Sequence, residues 1–284
     1  MTTSIRDAIT EGAQILAAAG INEGRMEAVS LLGHVVERDR TFLITHAGEP
    51  LSDDHLRGFR ELVRRRATRE PLQYITSQQE FFGLDFEVTP DVLVPRPETE
   101  IIVEAALEVS AELPAPFIAD IGTGSGCIAI SLLHELAGAH AIATDVSPKA
   151  LQVAHRNASR HQVHDRLTLV EADGFPDAPR DARFSLVVSN PPYISEEEFA
   201  GLQPEVRDYE PRSALISGAD GLSHIRMLLR ETPSHLEPGA HFIFEIGFGQ
   251  RDGVEELVDK SVWDLIEIRN DLQGIPRTFV LKMR

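Results

Sequence analysis

Cysteine occurs only once in the 284 residues of this chain, as Cys127. A lone thiol cannot form an internal disulfide framework, and such sparing use of cysteine fits a reducing compartment. No uncharged apolar run is long enough to cross a bilayer, and the amino terminus lacks the basic-then-apolar order of a signal peptide. We therefore expect a cytoplasmic protein with no membrane partner.

Basic side chains are also scarce. Lys and Arg number 27 against 45 Asp and Glu, which gives a formal net charge of −18. So acidic a surface repels phosphate backbones, and direct binding of nucleic acid is not expected. The rest of the composition, 42% hydrophobic and 25% charged, is ordinary for a globular chain that buries a core.

The amino-terminal part, residues 1–75, has helical periodicity only. Ser4 and Ser52 are placed to cap a first and a fourth helix, and apolar stripes between them predict two more. We expect a small helical bundle without a catalytic constellation. Its unusual feature is the cationic group Arg64-Arg65-Arg66 with Arg69, which is either a solvated helix end or a docking patch for an acidic or RNA-bound partner.

The period changes at residues 76–96, where apolar and polar residues alternate. Gly83 and Thr89-Pro90-Asp91 supply turns, so this stretch predicts a β-hairpin that links two domains. Glu98-Thr99-Glu100 then opens a helix. The two acids either interact favourably with the positive amino-terminal end of that helix or form one wall of a cofactor site.

Residues 97–284 alternate strand and helix patterns, which predicts an α/β domain with a parallel sheet. Apolar runs predict strands at 117–121, 140–144, 167–170, 184–189 and 241–246. Two further apolar runs, 262–268 and 278–281, are joined by a polar loop and predict a terminal hairpin. At least one terminal strand should therefore be antiparallel.

A glycine-rich turn, Gly122-Thr123-Gly124-Ser125-Gly126, follows the first of these strands, and Asp120 precedes it. The dinucleotide fingerprint would need glycine at the position of Cys127. An acid two residues before the turn is awkward for a pyrophosphate, but it suits a cofactor with an ammonium or sulfonium cation and no phosphate, such as S-adenosylmethionine. Asp145 lies ~20 residues past the turn, where a carboxylate reaches ribose hydroxyls. Asp173, followed by Gly174, ends the third strand and can accept from an adenine amino group.

The tetrapeptide Asn190-Pro191-Pro192-Tyr193 follows the fourth apolar run, so we expect it at the carboxyl end of a buried strand, where open α/β sheets bind ligands. Asn190 offers a side-chain carbonyl, Pro191 a backbone carbonyl and Tyr193 a flat aromatic face. Two converging carbonyls and an aromatic plate would form a socket for a planar NH2 group.

Other kinds of catalytic site find little support. The histidines lack the two-ligands-on-one-face spacing of a zinc helix, so no metal is expected. No Ser-His-Asp arrangement is arguable from residue order alone. Cys127 is interpreted as a core residue, since no His or acid is spaced to activate it.

From Pro71 to the carboxyl terminus the chain resembles the bacterial protein-(glutamine-N5) methyltransferases of peptide chain release factors. The resemblance rests on several motifs besides the glycine turn and the Asn-Pro-Pro-Tyr tetrapeptide. These are Pro71-Leu72-Gln73-Tyr74-Ile75, Phe82-Gly83-Leu84, Pro95-Arg96-Pro97-Glu98-Thr99-Glu100, Glu210-Pro211, Gly218-Ala219-Asp220-Gly221-Leu222 and Glu245-Ile246-Gly247. It implies a seven-stranded class I methyltransferase sheet behind a substrate-recognising helical domain and a β-hairpin linker.

The resemblance also implies a reaction and its residues. The family transfers a methyl group from S-adenosylmethionine to the glutamine of a Gly-Gly-Gln loop in release factors. By position, Gly122 to Gly126, Asp145, Asp173, Gly174 and Asn190 would hold the cofactor, while Asn190 to Tyr193 would hold the glutamine amide. Asn190, Pro191 and Tyr193 would be catalytic, and we expect a monomer.

Three other functions are considered. A sister enzyme of the same chemistry would act on a large-subunit ribosomal protein, but that branch resembles Ser-Pro where this chain has Pro97-Glu98-Thr99. A DNA adenine N6-methyltransferase would need a target-reading domain and a basic surface. A non-enzymatic adaptor of the same fold would be indicated by an altered Asn190 or glycine turn, and neither is altered.

Overall fold

The helical pattern at the amino end folds into a bundle in the computed structural model, which describes residues 3–175 and 183–284. Met1 and Thr2 of the amino-terminal segment lie outside the described residues. Ser4 and Ser52 accept hydrogen bonds from the backbone N–H groups of Asp7 and His55, as expected for helix caps. The helices are α1 Ile5–Ala18, α2 Gly24–Val36, α3 Arg40–Thr45, α4 Asp53–Ala67 and α5 Leu72–Thr76.

The chain divides into two compact units. One comprises Met1–Ser77 with Gln203–Tyr209, and the other comprises Gln78–Leu202 with Glu210–Arg284. Apolar faces of the helices form the core of the first unit, where Leu16, Leu31, Leu32 and Phe59 are fully buried. The short helix α10, Pro204–Tyr209, belongs to this helical unit although it lies far along the chain.

The arginine cluster is paired inside the helical unit. Arg66 is only 5% exposed and its guanidinium binds two carboxylates, with Nε 2.5 Å from Glu27 Oε2 and Nη2 3.0 Å from Glu205 Oε1. Arg69 Nη2 lies 2.7 Å from the other oxygen of Glu205. Arg64 pairs with Glu61 in an exposed helix position. The cluster is thus partly a solvated helix end and partly an internal ion-pair network.

The second unit begins with a short hairpin of antiparallel strands β1 Gln78–Phe81 and β2 Leu84–Glu87. Its large sheet has seven strands, in the order β5-β4-β3-β6-β7-β9-β8. The strands are β3 Phe117–Ile121, β4 His140–Asp145, β5 Leu167–Glu171, β6 Phe184–Ser189, β7 Leu236–Glu245, β8 Trp263–Asn270 and β9 Pro276–Met283. Strands β3 to β7 are parallel, and β9 runs antiparallel to both β7 and β8.

Helices cover both faces of this sheet, because successive residues of a buried strand point to opposite sides. In β3, Ile118 belongs to one apolar cluster and Ala119 to another. The helices of this unit are α6 Glu100–Ser110, α7 Cys127–Glu135, α8 Pro148–Arg160, α9 Glu196–Phe199, α11 Ser223–Glu231 and α12 Arg251–Leu257. Short 3-10 turns occur at Pro97–Thr99, His164–Arg166, Arg212–Ala214 and Thr232–Ser234. The predicted α/β architecture is confirmed.

The strand order places the site. Strand β3 is flanked by β4 and β6, so the chain runs in opposite directions across the sheet on its two sides. Such a switch point opens a crevice at the carboxyl ends of the strands. Over the described parts of the chain, no helix combines the length and apolar character needed to cross a membrane.

Candidate active site

A cavity opens at the carboxyl edge of the sheet, and most of the predicted site residues line it. They are Gly122, Thr123, Gly124, Ser125, Asp145, Asp173, Gly174, Asn190, Pro191 and Pro192. Gly126 and Tyr193 are not among its lining residues. Loops that are far apart in sequence therefore converge on one space, as expected for the ends of neighbouring parallel strands.

The glycine turn presents bare backbone to the cavity. The N–H groups of Gly122 and Thr123 both donate to the carbonyl of Thr144, at 2.9 and 2.8 Å, which ties the turn to the end of β4. Gly122 and Gly124 have φ values of +75° and +55°, which glycine adopts without strain. A Cβ at either position would meet no described atom within 4 Å, so a ligand can approach the backbone closely.

Asp120 lies beneath the turn and does not line the cavity, in contrast to the expectation that it faces a cofactor cation. It is fully buried, and its Oδ2 accepts hydrogen bonds from Thr123 Oγ1 at 2.6 Å and from Ala129 N at 3.3 Å. Burial raises its pKa to about 6. The carboxyl group therefore joins the turn to the first turn of α7, and its hydrogen bond to a cavity-lining side chain is the one from Thr123.

Asp145 lines the cavity at the end of β4. Its Oδ2 accepts from Gly124 N at 2.9 Å and its Oδ1 from Ser147 N at 2.9 Å, which fixes the carboxylate beside the glycine turn. Burial raises the pKa of this carboxyl, while the backbone N–H groups oppose the shift. Asp173 follows β5, and the adjacent Gly174 carbonyl accepts from Thr144 Oγ1 at 2.8 Å.

These groups fit a cationic, phosphate-free cofactor better than a dinucleotide. Carboxylates from two strand ends and open backbone groups line the cavity together with apolar side chains such as Leu93 and Ile128. Among the described residues that line it, none is Lys or Arg. A polyphosphate would meet negative charge without a compensating cation, whereas hydroxyl, amino and sulfonium groups would meet acceptors.

The Asn-Pro-Pro-Tyr tetrapeptide leaves β6 at the cavity. Ser189 Oγ donates to Ile121 O at 2.7 Å and fixes the strand end against β3. Asn190 Nδ2 donates to Thr99 Oγ1 at 2.9 Å. Within the described residues, Asn190 Oδ1 has no hydrogen-bond donor, so it remains an available acceptor. Pro191 and Pro192 continue the wall.

Tyr193 follows these prolines and is held by two hydrogen bonds. Its hydroxyl donates to Glu245 Oε1 at 3.2 Å, and its carbonyl accepts from Gln250 Nε2 at 2.8 Å. Burial raises the pKa of the phenol, and the neighbouring Glu245 carboxylate adds to the shift. The hydroxyl of Tyr193 is thus bound to the end of β7, and the contact of its ring with a substrate amide stays a prediction.

Two polar residues of the site were not assigned a role by sequence. Thr99 lines the cavity, and its hydroxyl donates to Glu245 Oε2 at 2.7 Å. Glu245 is 1% exposed at the end of β7, where burial raises its pKa to about 7. A single acid closing the apolar run of β7 was the available signal, since such a residue is rarely buried without partners.

Cys127 has no nucleophilic environment. Its thiol is buried, and burial raises its pKa to about 12. No group of His, Cys, Asp and Glu suited to a metal ion occurs among residues 3–175 and 183–284. The polar chemistry of the cavity therefore comes from its carboxylates, hydroxyls and carbonyls and from the imidazole of His224.

A mostly parallel sheet with this switch point, a bare glycine turn and acidic strand ends are the features of an S-adenosylmethionine-dependent methyltransferase. Family models agree: one described as "PrmC N-terminal domain" matches residues 7–76, and one described as "Methyltransferase small domain" matches residues 100–202. A methyltransferase from Pyrococcus furiosus has a similar fold, with a TM-score of 0.53 at 21% identity over 77% of this chain and 98% of that one.

Closer relatives identify the family. The "Release factor glutamine methyltransferase" of Geobacter sulfurreducens is 44% identical over 92% of this chain and 90% of its own length. The protein of that name from Koribacter versatilis is 38% identical over 98% of both chains. The chain belongs to the release factor glutamine methyltransferase family. The family, fold class and methyl donor predicted from sequence are thereby confirmed.

Proposed function

We propose that this protein transfers a methyl group from S-adenosylmethionine to the side-chain amide nitrogen of the glutamine in the Gly-Gly-Gln loop of peptide chain release factors. The observation that carries this proposal is the orientation of Asn190, whose NH2 group is bound to Thr99 while its carbonyl oxygen is left for a ligand. The names of the relatives at 38% and 44% identity supply the substrate.

The cofactor is assigned to the strand ends. We assign the ribose hydroxyls to Asp145, whose carboxylate is fixed by two backbone N–H groups, and the adenine amino group to Asp173. The glycine turn from Gly122 to Gly126 lets the cofactor approach the backbone. When bound, S-adenosylmethionine supplies an electrophilic methyl group on a sulfonium centre.

The substrate amide is assigned to the Asn-Pro-Pro-Tyr wall. An amide nitrogen is a poor nucleophile because its lone pair is delocalised into the carbonyl. If Asn190 Oδ1 and the Pro191 carbonyl each accept one N–H, they hold the NH2 group and direct its lone pair away from the wall. Positioning and polarisation of the amide supply most of the rate. The nitrogen sheds a proton easily once it carries the methyl group, so no strong base is needed.

We assign Tyr193 a part in holding the Asn-Pro-Pro-Tyr backbone in place. Its bonds to Glu245 and Gln250 fix the backbone that follows Pro192, so the proline carbonyls keep their direction. We assign recognition of the release factor outside its loop to the helical domain, residues 1–75, and we place the reaction in the cytoplasm, where translation terminates.

Labelled methyl transfer tests the assignment. Radiolabel from S-adenosylmethionine should reach release factor, but not the same factor with its loop glutamine replaced, a large-subunit ribosomal protein or duplex DNA. Label that survives loss of the loop glutamine would overturn the substrate, and transfer to DNA would favour the adenine methyltransferase.

Asn190→Ala tests the amide-binding role. The variant should abolish transfer while cofactor affinity stays within about tenfold, because the lost acceptor contacts the substrate amide rather than the cofactor. The matched control is Asn270→Ala, at an exposed asparagine at the end of β8, which should leave both quantities unchanged. Equal loss of transfer and cofactor affinity would make Asn190 mainly a cofactor ligand.

A further inference from the structure

The carboxamide of Asn190 can be turned in two ways that have nearly the same shape. With its oxygen toward the cavity it accepts a hydrogen bond from a substrate NH2 group. With its own NH2 toward the cavity it can only donate, and it would bind a carboxylate or a carbonyl instead. The contacts behind the asparagine therefore decide which ligand the wall accepts.

Thr99 separates Asn190 from a buried acid. Its Oγ1 lies 2.9 Å from Asn190 Nδ2 and 2.7 Å from Glu245 Oε2. A hydroxyl has one proton, so it can donate to only one of these two neighbours. If Thr99 donates its proton to Glu245, it has only lone pairs to offer Asn190. Asn190 must then turn its NH2 toward Thr99, which leaves its carbonyl oxygen toward the cavity.

Glu245 settles where that proton goes. The carboxylate is fully buried, and its two oxygens accept from two hydroxyls, Thr99 at 2.7 Å and Tyr193 at 3.2 Å. An ionised carboxylate can only accept. If Asn190 were turned over, Thr99 would have to donate its proton to the Asn190 oxygen instead of to Glu245. One buried oxygen of Glu245 would then have no partner, and that is costly for a charged group.

We propose that Thr99 and Glu245 are positioning residues that hold the Asn190 carboxamide with its oxygen toward the cavity, and that they thereby select an amide over a carboxylate substrate. This inference rests on the proposed function, in which Asn190 binds the glutamine NH2 group. Neither residue needs to touch the substrate amide. Their effect is to make the end of β6 an acceptor.

Thr99→Val is the test, since it removes the hydroxyl with little change in volume. Thr99→Ser keeps the hydroxyl. Thr278→Val is a matched control, because Thr278 is buried opposite Glu245 in the β7–β9 pairing and its hydroxyl has no hydrogen-bond partner among the described residues. Thr278→Val thus makes the same chemical change at a hydroxyl that takes part in no described hydrogen bond.

Thr99→Val should lower kcat about tenfold to hundredfold, the effect of one hydrogen bond to a charged network, with the dissociation constant of S-adenosylmethionine within about threefold. The preference for release factor is measured as the dissociation constant of the same factor carrying glutamate in the loop divided by that of release factor itself. Thr99→Val should lower this ratio about tenfold or more. A purely structural role would weaken both ligands alike. Thr99→Ser and Thr278→Val should retain the wild-type kcat and ratio.

A second readout separates this inference from the proposed function. In the protein without release factor, the side-chain NH2 of Asn190 should exchange its protons slowly, and Thr99→Val should speed that exchange while Thr278→Val does not. If wild type transfers no label to release factor, the proposed function fails, whatever the exchange shows. If Thr99→Val leaves exchange and the glutamine-to-glutamate ratio as in Thr278→Val, the positioning role is overturned.

Discussion

Glu245 should make methyl transfer sensitive to protons near neutral pH. Burial raises the pKa of this carboxyl from an ordinary 4.5 to about 7. Hydrogen bonds from Thr99 and Tyr193 and the charge of Arg277 on β9 favour the ionised form, while Glu98 opposes it. If a protonated Glu245 donates to Thr99, the threonine proton can turn to Asn190, and the carboxamide is free to reverse.

The magnitude follows from the shift. Raising the pKa by about 2.5 units penalises the ionised carboxylate by about 3 kcal/mol in the folded protein. Because the folded-state pKa lies above the unfolded one, the folded protein has the full stability that goes with a protonated Glu245 below about pH 4.5. It loses that stability as the pH rises through about 7. Activity should change in the opposite direction, since the ionised form orients Asn190. Transfer should therefore increase over the range in which the protein loses stability.

The assay is single-turnover methyl transfer at saturating cofactor and release factor, measured from about pH 6 to about pH 8, the range that brackets the raised pKa. Wild type should gain rate as Glu245 ionises. Glu245→Gln cannot ionise, so it should stay at the low-pH rate throughout. The same variant should be more stable than wild type at the alkaline end. Parallel rate profiles for the two proteins would refute the reasoning.

Two further substitutions have matched controls. Arg66→Ala should destabilise the helical unit by about 3 kcal/mol, because it removes the buried cation that pairs with half-buried Glu27 and Glu205, whereas Arg64→Ala in an exposed pair should cost under about 0.5 kcal/mol; hydrogen exchange across α2 and α4 measures both. Gly124→Ala and Gly83→Ala both force alanine to a positive φ at open positions, for about 1 kcal/mol each, but only Gly124→Ala should also weaken S-adenosylmethionine binding in calorimetry. Equal cofactor affinities in the two glycine variants would count against the turn as the cofactor site.

Local signals in the sequence predicted the frame of the fold. Buried parallel strands are continuous apolar runs, and the runs at 117–121, 140–144 and 184–189 became β3, β4 and β6 within one residue. The glycine turn and the two prolines end their strands abruptly, so the residues beside them could be placed at the carboxyl edge. Both kinds of signal act over a few residues, which is why they can be read from one sequence.

Side-chain direction could not be predicted in the same way. Asp120 was interpreted as an acid suited to a cofactor cation, but its carboxylate bonds to Thr123 beneath the turn. The bond from the Tyr193 hydroxyl to Glu245 was not predicted either. Thr99 and Glu245 are 146 residues apart, so no periodicity of one segment reports their contact. The same holds for Arg66, whose partner Glu205 is 139 residues away. Such contacts depend on which distant segments of the chain pack together, and the sequence patterns do not specify that.

The two acids buried behind the cavity serve it in the same way. Asp120 accepts from Thr123 and Glu245 accepts from Thr99, and both threonines line the cavity. Each hydroxyl proton is thereby drawn away from the cavity, so both threonines offer it lone pairs only. With Asn190 oriented by the second of these pairs, the two threonines and Asn190 join the carboxylates of the lining as acceptors. Such a lining favours ligands with N–H donors or positive charge. A sulfonium amino acid has both properties, and a carboxamide NH2 has the donors.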